Sequence, residues 1–342
     1  RVVSLSVNQV RRVELDAVTE SATEGQWVGL ESEWYLAALV PRTPGLQLVT
    51  AKGAEGAVEI GLKAVLPQLA PGQAWEGRVL YYVGPKEYDR LKALGVGLEE
   101  AIFFGGFPIP QGYGGLPMAW FGVPILWLMN FFYRYTGNYG LAIILLTVIV
   151  KILFYPLTLK SMGSMKAMQS LQPQVNALRA KYKSDPQRAQ KEMMDLYRKE
   201  KVNPMGGCLP MVIQIPVFYA LYATFLVSVE LQNAALLCIG KAPKWVPWLG
   251  GVDLWICDLA QHDPTYILPL LMGASMFVQQ KMTPTVGDPR QAKIMLMMPI
   301  VFTFMFLTLP SGLVLYWFVS NLLQILQQHY TDRRAAATKG AK

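Results

Sequence analysis

The residue best placed to do chemistry is Lys151, a cation inside the apolar run Asn138 to Leu159. It lies nine residues before Lys160, so on a helix rising 1.5 Å per residue it sits about 13 Å from that end of the run. A lysine stem does not reach that far. A cation in hydrocarbon costs about 2.5–3.5 kcal/mol and therefore faces a bundle interior or a watery cavity. Thr147, Lys151, Tyr155 and Thr158 recur at i, i+4, i+8 and i+11 and share one helical face. Tyr316, Ser320, Gln324 and Gln327 repeat that spacing in a later run, with Asn321 beside the stripe and Trp317 next to Tyr316. Gln214 adds a polar group to a third run. None of these runs carries an Asp or Glu midway, so the predicted site is a cationic groove that attracts negative charge. A proton or ion carrier calls for buried carboxylates instead. The plain alternative is that Lys151 is interhelical glue, held by carbonyls and hydroxyls of its neighbours.

Other chemistries find little material. There is no HExxH, GxSxG or P-loop, and the carboxylates lie in loops, so the chain reads as a non-enzyme. Cys208, Cys238 and Cys257 form no CxxC and only two histidines accompany them, so no metal is expected. Cys238 and Cys257 share a loop and are able to pair in an oxidising compartment; their spacing leaves that open.

The elements that must position Lys151 follow from hydropathy. The chain is 53% hydrophobic and 16% charged, with a mean hydropathy of +0.28, more apolar surface than one soluble core hides. Five apolar segments predict spanning helices: Asn138–Leu159, Met205–Ser228, Thr265–Lys281, Ile294–Leu309 and Gly312–Gln328, the last two hinged at Pro310-Ser311-Gly312. The net charge of +8 is gathered beside these runs and reads as a topology signal, not as a nucleic-acid surface. Lys160 to Lys201 holds ten Lys/Arg against Asp185, Glu192, Asp195 and Glu200, which places that loop in the cytoplasm. The next loop, with Glu230, Asp253, Asp258 and Asp263, is then outside, and the basic tail inside. Within the cytoplasmic loop, Met162–Tyr182 and Pro186–Lys201 predict an antiparallel helical hairpin turning at Ser184-Asp185-Pro186. Met162, Met165, Met168, Met193 and Met194 either pack that hairpin or offer a pliable face to apolar partners.

Residues 1–115 alternate short β-type runs (Val2–Val7, Trp34–Val40, Val58–Leu62, Arg78–Val83) with Pro/Gly punctuation, a mostly β domain that this topology puts outside the cytoplasm. Phe103–Pro117 reads as a linker. Leu116–Tyr133 is apolar enough to span, but Pro117, Pro124 and its Trp/Tyr content favour an interfacial helix over 116–135. Such a topology calls for a signal anchor upstream of Arg1, so the chain is expected to be a fragment.

Several segments carry a resemblance. GNYGLAIILLTVIVKILFYPLT (137–158), LQPQVNALRAKY (171–182), EMMDLYRKEKVNPMGGCLPMVIQIPVFYALY (192–222), YILPLLMGASMFVQQKM (266–282) and LPSGLVLYWFVSNLLQILQQ (309–328) resemble the YidC membrane-protein insertases. GQWVGLESEWYLAALVP (25–41) and VLYYVGPKEYDRL (79–91) are similar to the end of the periplasmic β-sandwich of Gram-negative members. The resemblance implies a five-helix inner-membrane core over 136–331, a cytoplasmic hairpin over 161–203, a basic tail over 332–342 and an N-terminal extracytoplasmic β-sandwich fragment. It also implies a groove open to the cytoplasm and to lipid, with nascent membrane proteins as clients. The Sec translocon, ribosomes and targeting factors are the implied partners, without sequence-specific nucleic-acid binding, cofactor or nucleotide. The family's groove cation is usually Arg, where this chain has Lys151, which keeps the charge without the planar fork. A solute or lipid transporter is the rival class, for which internal repeats are expected and none is seen.

Overall fold

The computed structural model describes every residue except 7–8, 54–56, 65, 67, 108–115, 184, 204–208, 242–250, 252, 283–288 and 341–342. Most of the expected linker, the turn residue Ser184 and Cys208 lie outside the described residues. The chain forms two compact units, Arg1–Gly106 with Leu226–Glu230, and Phe107–Phe225 with Leu231–Lys342.

In the first unit, strands β1 (Val2–Ser6), β2 (Gln9–Val13), β4 (Trp27–Glu31), β5 (Tyr35–Pro41) and β8 (Val79–Pro85) form an antiparallel sheet in the order β2-β1-β4-β5-β8. A smaller sheet, β3 (Ser21–Thr23), β6 (Leu46–Lys52) and β7 (Val58–Ala64), packs on one face of it. The two-residue period of a strand divides the burial. Val2, Val28, Leu30 and Leu39 meet Leu48, Ile60 and Leu62 of the small sheet. The other face carries Val3, Trp27, Leu36, Ala38 and Val40, all buried. It is covered by α1 (Tyr88–Ala93) and the following turn, whose Leu91, Leu98 and Ala101 are fully buried. The Trp27 indole Nε1 donates to the Gly97 carbonyl at 3.2 Å, and Gly97 holds φ at +73°, a conformation that suits glycine. The β-type runs of the sequence correspond to β1, β5, β7 and β8. The remaining strands are built from mixed residues such as QVRRV in β2, which are strand by pairing and not by their own hydropathy.

Leu226–Glu230 belongs to this unit: the Trp34 Nε1 donates to the Leu226 carbonyl at 3.3 Å, and the Glu230 carboxyl accepts from the Tyr88 backbone N–H. Burial pushes the Glu230 carboxyl up to about 7, and neighbouring Glu87 and Asp89 add to the rise. A folded pKa above the unfolded one makes the folded state the better proton binder, so this group costs stability as pH rises from 4.5 towards 7 and nothing further above that. The full cost is on the order of 3 kcal/mol. The denaturant midpoint of the β unit is therefore expected to fall between pH 5 and pH 8, and Glu230→Gln to flatten that slope. An unchanged slope in the variant would assign the pH dependence elsewhere.

The second unit is helical. α2 (Ala119–Thr136) ends at Gly137, whose φ of +63° closes the helix. Pro124 sits inside α2, so this segment is one helix and not the broken one its prolines suggest; a proline removes one ladder bond without stopping the turns on either side. α3 starts at once, with the Asn138 side chain accepting from the Leu141 N–H at 3.0 Å, and packs on α2. α3 runs unbroken from Tyr139 to Ser170. The expected boundary near Lys160 therefore shifts: the helix passes out of its apolar stretch and takes in Met162 and Met168 before it ends. Nothing in Lys160-Ser161-Met162 breaks a helix, and polarity alone does not end one. α4 (Gln172–Lys181) and α5 (Pro186–Lys199) then pack on each other around Leu171, Val175 and Tyr197, with Met168 and Met193 against that cluster. Met194 is exposed. Asp185 caps α5 by accepting from the Arg188 N–H at 3.1 Å.

The other apolar segments are α6 (Leu209–Val227), α7 (Ile267–Met282), α8 (Pro289–Phe306) and α9 (Ser311–Gly340). α9 packs on α3 and α7, and α7 on α8. α9 also continues through the basic segment that reads as a tail, because Ala335-Ala336-Ala337 favours helix. α7 and α8 approach so closely at Gly273 that a Cβ there would run into the Thr303 hydroxyl. Among the described residues α3 is the helix long and apolar enough to cross a membrane alone, while α6 and α8 contribute shorter apolar stretches, Gln214–Val227 and Leu296–Phe306. Only 28% of the apolar stretch of α3 is buried. Ile152, Leu153, Leu270, Ile300, Val301, Phe304 and Leu326 are each more than half exposed. Apolar side chains exposed over several helices of one unit suit lipid as their surroundings.

A short hairpin, Leu237–Lys241 with Asp253–Ile256, sits between α6 and α7, and Cys238 is bonded to Cys257 there. Asp263 ends this region as the cap of α7, accepting from the Leu268 N–H at 2.8 Å and from Thr265.

Candidate polar cavity

Lys151 is half-buried on α3. Its Nζ donates to Gln324 Oε1 on α9 at 3.2 Å. These two residues, Thr158 of α3 and Gln214 of α6 border one cavity of about 40 Å³, closed by Val150, Phe154 and Leu157. A second polar link joins α6 and α9 alongside it, where the Gln214 Nε2 donates to the Tyr316 hydroxyl at 2.5 Å. Helices α3, α6 and α9 thus bring Lys151, Thr158, Gln214 and Gln324 together, with Tyr316 next in line.

The other predicted residues have different surroundings. Thr147 is fully buried and donates to the Ile143 carbonyl of its own helix at 2.7 Å. Tyr155 is 41% exposed and lies outside the cavity lining. Asn321 turns to α7, where its Nδ2 donates to Ser275 Oγ at 3.4 Å. Ser320 is buried. Trp317 joins an aromatic cluster with Phe218, Phe302 and Phe306, its ring 4.8–5.9 Å from theirs. Two polar contacts escape the sequence reading: Ser275, a single small hydroxyl in an apolar helix, and Gln328, whose Nε2 donates to the Met282 carbonyl at 2.6 Å. Their signal was one polar residue on an apolar face, which periodicity alone does not distinguish from helix packing. Further along α3 and α9, Lys166 pairs with Asp332 at 2.6 Å.

A β-sandwich unit and a helical unit that exposes its apolar side chains while sheltering a cation midway along its longest apolar helix define a membrane-embedded protein with a domain outside the bilayer. The comparisons with known proteins agree. The model of the 60Kd inner membrane protein family matches residues 131–338, and that of the YidC periplasmic domain matches residues 2–128. The chain belongs to the YidC, or 60Kd inner membrane protein, family, and is an inner-membrane protein with a periplasmic-type N-terminal unit. It is 47% identical over 330 residues to a protein of Syntrophus aciditrophicus named membrane protein insertase YidC, covering 94% of this chain and 56% of the relative. A Geobacter sulfurreducens protein of the same name is 45% identical over 330 residues, covering 95% of this chain and 56% of the relative. The chain spans about half the length of these curated relatives. A solved structure titled as an active YidC insertase with its first transmembrane domain resolved shares the fold, with a TM-score of 0.52 at 23% identity, covering 93% of this chain and 66% of that one.

Proposed function

We propose that this protein inserts nascent membrane-protein segments into the lipid bilayer through a hydrophilic groove centred on Lys151. The observation that carries this is the cavity itself: a lysine, two glutamines and a threonine from three helices sheltered among side chains that otherwise suit lipid. A hydrated cation there shortens the dry path for a polar tail, and a client carboxylate is drawn in transiently. The client's apolar segment then leaves into lipid, driven by about 0.8 kcal/mol per buried CH₂, so no fuel site is needed. Relatives named as membrane protein insertases support the same reading.

In this proposal α3, α6, α7, α8 and α9 are the five spans and α2 lies at the interface. The packed pair α4–α5 and the basic end of α9 face the cytoplasm, as the Lys/Arg-rich loop between α3 and α6 favours. The Cys238–Cys257 disulfide supports an outer position for the α6–α7 loop, since such bonds persist in oxidising compartments. Tyr316, bonded to Gln214, and the exposed Tyr155 border the path of the client, while Thr147, Trp317, Ser320 and Asn321 pack the helices behind it. The Sec translocon, ribosomes and targeting factors are the partners this placement would serve.

The test is insertion of a short single-span client with an acidic translocated tail into vesicles holding equal amounts of wild type, Lys151→Arg, Lys151→Ala or Lys151→Glu. Ala and Glu are expected to lose about tenfold, the worth of one buried charge-assisted contact, with Arg close to wild type. Equal insertion by all four would remove Lys151 from the mechanism. No insertion by wild type, with flux of a small solute instead, would favour a transporter.

A further inference from the structure

The partner of Lys151 shows what its charge is set up to hold. An ammonium on a flexible four-carbon stem has three donors and no preferred plane, unlike the rigid fork of a guanidinium. Here its Nζ donates to Gln324 Oε1 at 3.2 Å, across from α3 to α9. The Gln324 amide also carries two N–H donors on Nε2, beside the oxygen that the ammonium holds. Both residues border the same small cavity, with the Thr158 hydroxyl engaged by the Phe154 carbonyl at 3.0 Å. A space of about 40 Å³ holds a small polar head on the order of one or two water molecules, and not a helix.

We propose that Gln324 is a positioning and specificity-determining partner of Lys151, and that the pair forms a two-point receptor for a single carboxylate of the client. Gln324 Oε1 orients the ammonium, Nε2 donates to one carboxylate oxygen and Lys151 Nζ to the other. The pair thus supplies from two helices the two parallel donors that a guanidinium carries alone. Carboxylate clients are preferred over neutral isosteres, which offer one acceptor and lack the charge. The proposal rests on the insertase reading above and adds the recognition chemistry of its cavity.

The experiment measures the ratio of inserted client carrying an Asp tail to the same client carrying Asn, in vesicles with the intact protein. Wild type, Gln324→Leu, Gln324→Glu, Lys151→Arg and the Lys151→Arg/Gln324→Leu double variant are compared. Gln324→Leu is expected to lower the Asp-to-Asn ratio about tenfold, and Gln324→Glu to abolish it, because its carboxylate occupies the ammonium. In the Lys151→Arg background the fork orients itself, so Gln324→Leu is expected to cost less than about twofold. An equal cost in both backgrounds, or an unchanged ratio in Gln324→Leu, would overturn the receptor and leave Gln324 as packing. If wild type inserts neither client, the insertase reading itself falls.

Discussion

Replacing Glu31 with alanine is expected to lower the stability of the β unit by about 3–5 kcal/mol, the usual cost of leaving buried charge uncompensated. Glu31 is the centre of an ionic cluster: its carboxylate lies 3.2 Å from Arg12 Nε and 3.3 Å from Lys86 Nζ, and its side chain is 6% exposed. Burial pulls both cations below their ordinary pKa, and Glu31 is the main group that raises them again. Arg12 is further committed, with its Nη2 donating to the carbonyls of Glu100 and Ala101 and its guanidinium over the Phe103 ring. Removing the anion they share leaves two largely buried cations without that carboxylate. Glu31→Gln keeps the acceptor without the charge and should fall between alanine and wild type. The denaturant midpoint of the β unit reads this directly, and a midpoint within about 0.5 kcal/mol of wild type for Glu31→Ala would show the cluster to be surface-like.

Loss of the Cys238–Cys257 bond is the second large effect. The bond closes a loop with a sequence separation of 19 residues, for which chain entropy gives about 3 kcal/mol. The two ends of that loop hold different helices. Before Cys238, the Leu236 carbonyl accepts from Asn138 Nδ2 at 2.9 Å, at the start of α3. After Cys257, the carbonyls of Leu259 and Gln261 accept from the N–H groups of Gly312 and Ser311, and the Asp258 carbonyl from Ser311 Oγ, at the start of α9. The disulfide therefore ties together the clasps on the two helices that carry Lys151 and Gln324. A Cys238→Ser/Cys257→Ser variant should unfold about 3 kcal/mol more easily and exchange the Ser311 and Gly312 amides faster, and reductant should do the same to wild type. Wild-type protection of those amides in the double variant would make the bond incidental. Intact mass with and without reductant shows whether the bond is present.

The composition and periodicity of the chain alone determined that it enters a membrane, that Lys151 is its anomaly and that a β domain precedes the helices. These are local properties: hydropathy sets where a segment is stable, and a cation among apolar neighbours needs shelter whatever the fold. Helical spacing also grouped Lys151 with Thr158, since angle about an axis depends only on residue number. It did not decide which neighbour that face would meet. Tyr155, on the edge of the same stripe, is left exposed, and Asn321, one residue from Ser320, turns to Ser275. Gln324 became the partner of Lys151 only because α9 packs on α3 at that height, 173 residues along the chain. Glu31 likewise meets Arg12 and Lys86 through strand register, at separations of 19 and 55 residues. Pairings of this kind are absent from any local window, because they are chosen by how helices and strands pack and not by what each prefers alone.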